Sequence, residues 1–97
     1  MRVFGTVIFM GDVMVLLRVL PESIDINLDE LKENISKKLD GLCKINEVKR
    51  EEIGFGLNAL MFSIIVPDEE GKMDRVENAI SSVEHVSQVD TRDVTLI

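Results

Sequence analysis

Ninety-seven residues suffice for one two-layer domain and not for two, and an apolar content of 45% excludes a disordered chain. A formal charge of −7, from 18 acidic against 11 basic residues with no Trp or Tyr, disfavours phosphate backbones and anionic lipid and leaves few rings to stack on bases. No stretch is long and apolar enough to span a bilayer, so neither direct nucleic-acid contact nor a membrane is expected.

The first nine residues, Met1 to Phe9, contain the apolar run Val3-Phe4-Gly5-Thr6-Val7-Ile8-Phe9 without a small-residue cleavage site. No export signal is therefore expected, and the cytoplasm is the expected location. The single Cys43 allows no internal disulfide and reads as a small half-buried hydrophobe.

Val13 to Leu20 is β-rich and almost unbroken in apolar character, which predicts a central strand. Pro21 and Ser23 end it, and a loop runs to Asn27. Asn27 followed by Glu30 has the form of a capping box, with Asn in place of Ser or Thr. Leu28, Leu31, Ile35 and Leu39 then recur at helical spacing while Asp29, Lys32, Glu33, Lys37 and Lys38 face outward, and Gly41 closes the helix.

Cys43 to Ile53 reads as a solvated strand and Phe55 to Val66 as a more apolar one, stopped by Pro67. The acidic run Asp68-Glu69-Glu70 precedes a second helix, where negative charge favours the helix dipole; no ordered spacing of oxygen ligands accompanies it. Met73, Val76, Ala79, Ile80 and Val83 form that helix's apolar stripe. His85 reads as a turn residue before a last strand, Val86 to Ile97.

The order β-α-β-β-α-β, with two right-handed crossovers, predicts an α+β ferredoxin-like sandwich: a four-stranded antiparallel sheet with both helices on one face. That architecture alone names no function. The chain holds no Ser-His-Asp set, and its one Cys and one His are not close in sequence. Gly54 and Gly56 lack the third glycine, lysine and helix of a nucleotide loop. Metal-ligand spacing is absent. An enzyme, a cofactor and a metal are therefore not expected, and a protein-binding domain is.

The segment Ile53-Gly54-Phe55-Gly56-Leu57 joins two strands and predicts a hairpin turn or bulge, since glycine takes positive φ without steric cost. Two fates are open for Phe55. Its ring either folds back over one end of the core or enters a pocket on a partner, as aromatic anchors do in interfaces.

Four stretches carry a resemblance: MGDVMVLLRVLPES (Met10 to Ser23), NLDELKENI (Asn27 to Ile35), EEIGFGLNAL (Glu51 to Leu60) and VPDEEG (Val66 to Gly71). In this order they resemble the archaeal translation elongation factor 1-beta family, which is similar to the exchange domain of its eukaryotic counterpart. The resemblance implies a ferredoxin-like domain, residues 10–97, that binds GDP-loaded elongation factor 1-alpha and promotes release of GDP so that GTP replaces it. It also implies a partner-binding role for Phe55 as a wedge, flanked by Ile53, Gly54, Gly56 and Leu57. In the family the extreme C-terminus lies against the nucleotide-binding domain as well, and relatives carry a basic residue near their end. Here no base follows Arg92. Either Arg92 substitutes, or exchange relies on Phe55 and the apolar tail Val94, Leu96 and Ile97.

Residues 1–9 precede the family's usual start and read either as a mis-assigned start or as a prolongation of the first strand that could add to a sheet edge or pair two copies as a weak homodimer. A reading of another class is a small-ligand or regulatory ferredoxin-like module that dimerises through its sheet. Release of a fluorescent GDP analogue from elongation factor 1-alpha separates the two.

Overall fold

The computed structural model describes residues 11–69 and 71–96; the extension proposed for residues 1–9 and the tail residue Ile97 lie outside the described residues. The elements are β1 (Asp12–Pro21), α1 (Leu28–Leu39), β2 (Lys44–Gly54), β3 (Leu57–Pro67), α2 (Lys72–Ser81) and β4 (Val86–Leu96). The sheet order is β2-β3-β1-β4 and every neighbouring pair is antiparallel. The expected ferredoxin-like sandwich is the fold.

Alternation puts Val15, Leu17 and Val19 of β1 on one face of the sheet, fully buried. From β3, Leu60, Phe62, Ile64 and Val66 join them; Leu31, Ile35 and Leu39 of α1 and Val76 and Ile80 of α2 close the core from above. Each such side chain contributes roughly 1.5–3 kcal/mol on leaving water. β1 and β3 are paired on both sides, while the edge strands β2 and β4 are mostly solvated, the pattern that discourages edge-to-edge pairing.

Both helix termini follow from local chemistry. The Asn27 side-chain oxygen accepts from the N–H groups of Asp29 (3.0 Å) and Glu30 (3.1 Å). Among the described hydrogen bonds Glu30 makes no return bond, so Asn27 caps α1 alone. Gly41, with φ 86, follows the helix in the left-handed region that only glycine adopts freely.

The strands differ from expectation at the hairpin and within β2. Phe55 does not begin β3; it sits in the turn, and β3 starts at Leu57. Within β2, the register shifts between Ile45 and Glu47, leaving Asn46 as an extra residue. Ile45 and Val48 are three apart, yet both pack against the core, because the bulge resets the two-residue phase.

Candidate functional site

The β2–β3 ladder closes with Gly54 opposite Leu57, so Phe55 and Gly56 alone make the turn. Their φ values are 56 and 79, positive at both central positions as in the type I′ hairpin, whose twist suits the flanking strands. A bulky residue rarely accepts such a φ, and the strain amounts to about 1 kcal/mol or more. Just before the turn, a second register shift between Glu52 and Gly54 leaves Ile53 unpaired.

Of the two fates open to Phe55, folding over the core is not the one observed. The residue is 104% exposed. The flanking glycines serve the backbone and not a crowded neighbourhood: a Cβ built on Gly54 or Gly56 would meet nothing within 4 Å, while their φ values are 124 and 79. Ile53 is 38% exposed and Leu57 half-buried at the root of β3.

The family resemblance implies that Phe55 and the C-terminal residues both contact the partner, without saying how far apart they lie. The structure separates them. Leu96 pairs with Val13 at the start of β1, whereas Val19 near its other end pairs with Leu60 and the hairpin runs on past Pro21. At about 3.4 Å per residue, Phe55 and Leu96 stand roughly 30 Å or more apart. Within β4, the register shifts between the pairs Leu16–Asp93 and Leu17–Thr91, leaving Arg92 as a bulge. That bulge returns Val94 and Leu96 to the face of their partners Val15 and Val13. They lie there 55% and 70% exposed, on the helix-bearing face but outside its cover.

Among the described residues the exposed large apolar side chains are Ile53, Phe55, Val94, Leu96 and Ile24. Ile24, in the β1–α1 loop, is the one sequence reasoning missed; its signal was an isoleucine inside the otherwise polar run Glu22-Ser23-Ile24-Asp25.

Ion pairs brace the scaffold around these ends. Arg50 of β2 donates to Asp29 in the first turn of α1 at 2.7 Å. On the open face of the sheet Arg18 donates to Asp90 at 3.1 Å, and the Gln88 amide donates to the same carboxylate at 2.8 Å. The Gln88 and Arg18 hydrogen bonds, with the positive charges of Arg18 and Arg92, hold the Asp90 carboxyl below the usual aspartate value. Burial pushes the Cys43 thiol up, which disfavours the reactive thiolate. His85 adopts φ 77 in the turn before β4, with its ring Nδ1 3.2 Å from Glu22. Among the described residues no group of three His, Cys, Asp or Glu side chains is placed to hold a metal ion, and no helix is long and apolar enough to cross a membrane.

Residues 14–97 match the family model described as the EF-1 guanine nucleotide exchange domain. Elongation factor 1-beta of Thermoplasma acidophilum is 44% identical over 91% of this chain and 100% of its own length. The protein of the same name from Staphylothermus marinus is 48% identical over 88% of this chain and 96% of its own. Among solved structures, the ACT domain from GTP pyrophosphokinase of Chlorobium tepidum superposes with a TM-score of 0.61 at 17% identity, covering 84% of this chain and 99% of that one; at that identity the likeness concerns the fold alone.

Proposed function

The chain belongs to the EF-1 guanine nucleotide exchange domain family and is an exchange factor for elongation factor 1-alpha; we propose that it acts through two separated contact zones, the Phe55 hairpin and the C-terminal strand. The observation that carries this reading is a fully exposed aromatic ring on a turn whose backbone is strained to present it. Strain of that kind survives where the surroundings enforce it and a function uses it.

Exchange needs no catalytic side chain, only linkage. A factor that binds nucleotide-free carrier more tightly than GDP-bound carrier lowers the affinity for GDP by the same ratio. Its handle is the carrier's grip on phosphate and magnesium: contacts that favour a distorted grip raise the population from which GDP escapes, and GTP then enters. Within this chain Phe55 supplies an anchor, with Ile53 and Leu57 beside it and Gly54 and Gly56 setting the backbone. Arg92, Val94 and Leu96 supply the second zone, joined by Ile97 from beyond the described residues. Because the zones lie roughly 30 Å apart along the strands, the carrier engages the domain lengthwise and not through one compact pocket. This activity belongs to protein synthesis in the cytoplasm.

The test is release of a fluorescent GDP analogue from elongation factor 1-alpha with the parent protein and with Phe55→Ala. Acceleration by the parent and at least a tenfold loss in the variant, about 1.4 kcal/mol, is expected. Equal rates for the two would remove Phe55 from the site.

A further inference from the structure

We propose that Ile24 completes a docking surface with Phe55 and Ile53 at the hairpin end, and that this surface fits an apolar recess with a basic rim on elongation factor 1-alpha. The inference rests on the reading of Phe55 given above and extends it to a second loop.

The β1–α1 loop is built to hold Ile24 outward. The Ile26 N–H donates to the Ser23 carbonyl at 3.4 Å and the Asp25 N–H to Ser23 Oγ at 3.3 Å, a tight turn with Ile24 at its apex. On the strand side, the Glu22 N–H donates to the His85 carbonyl at 3.0 Å; on the helix side, Asn27 caps α1. Within this short loop the two isoleucines have opposite fates. Ile26 packs against the core, whereas Ile24 is 63% exposed. A loop anchored at both ends loses little conformational freedom when a partner seats on it.

One exposed isoleucine needs no explanation. Its position does. Ile24 and Gly56 line the same small crevice, about 20 Å³, together with Pro21, Leu28 and Leu57, so the loop and the hairpin tip form one end of the molecule. Ile24, Ile53 and Phe55 are thus exposed apolar side chains at the same end of the molecule, where one partner surface can reach all three.

The charge around the patch selects the partner. Glu22 and Asp25 on the loop and Glu51 and Glu52 on the hairpin arm are all exposed. Complementary potentials favour a recess edged by Lys and Arg and steer its approach.

The experiment titrates GDP-loaded elongation factor 1-alpha with Ile24→Ala, Ile24→Asp, Phe55→Ala and a rim variant carrying Asp25→Asn, Glu51→Gln and Glu52→Gln, each checked by thermal unfolding. Ile24→Ala is expected to weaken binding about three- to tenfold and Ile24→Asp more, with melting unchanged, and the rim variant to associate several-fold more slowly with a flatter salt dependence. Parent-like binding by both Ile24 variants, beside a large loss in Phe55→Ala, would overturn the inference and leave the hairpin reading standing. Parent-like binding by Phe55→Ala as well would bring down both. Faster association of the rim variant would overturn the basic rim.

Discussion

Gly54 and Leu57 are the last residues paired between β2 and β3, and the two positions between them both require positive φ. Asn-Gly is the sequence such a turn prefers; Phe-Gly stands here. The hairpin's own stability would therefore be better served by another residue at position 55, which makes the ring's exposure informative.

Phe55→Asn separates stability from function. Asn tolerates the left-handed backbone, so the variant should be more stable by about 0.5–1 kcal/mol, a rise of a few degrees in melting temperature. Nucleotide exchange should fall by an order of magnitude or more with loss of the anchor. Thermal unfolding and GDP release, measured together, decide it. A stabilised variant with parent-like exchange would show that the ring is dispensable.

Arg92→Ala should slow exchange modestly, about two- to fivefold, with little change in melting, since exposed charges contribute little to stability. Because the bulge and the hairpin tip are well over 10 Å apart, the free-energy effects of Arg92→Ala and Phe55→Ala should add. Strong non-additivity in the double variant would mean that the zones act as one. A parent-like rate for Arg92→Ala would leave Val94 and Leu96 as the described candidates of the second zone.

Asn27→Ala removes the cap of α1 and should cost about 1 kcal/mol, while Asn27→Gly should cost only a few tenths. For a domain of this size the first corresponds to a drop of roughly 4–8 °C in melting temperature. Equal melting of the two variants would assign the loss to something other than the orphaned N–H groups of Asp29 and Glu30.

Asp90 should make the open face of the sheet sensitive to acid. Its folded pKa lies below the ordinary value, about 3.9 in an unfolded chain. The stabilisation is thus complete above about pH 4 and is lost as pH falls through the lower, folded value. Asp90→Asn should lower stability at neutral pH and flatten the decline below about pH 4. Denaturant melts across pH 2–7 test this, and an unchanged acid limb would contradict it.

Much of the fold was legible in the chain. β1 and β3 announce themselves as apolar runs, α1 by its leucine spacing and cap, and the hairpin by two glycines around position 55, because strand, helix and turn preferences act over a few neighbouring residues. The bulges at Asn46 and Arg92 were not legible: an extra residue is tolerated or not according to how the opposite strand packs. The same holds for Ile24 and Ile26, equivalent in a loop until the core accepts one of them. Nor could the chain order tell that Phe55 and the C-terminal strand occupy opposite ends of the sheet. That separation comes from register, and register is set where side chains remote in sequence, such as Val19 against Leu60 and Val13 against Leu96, are packed together.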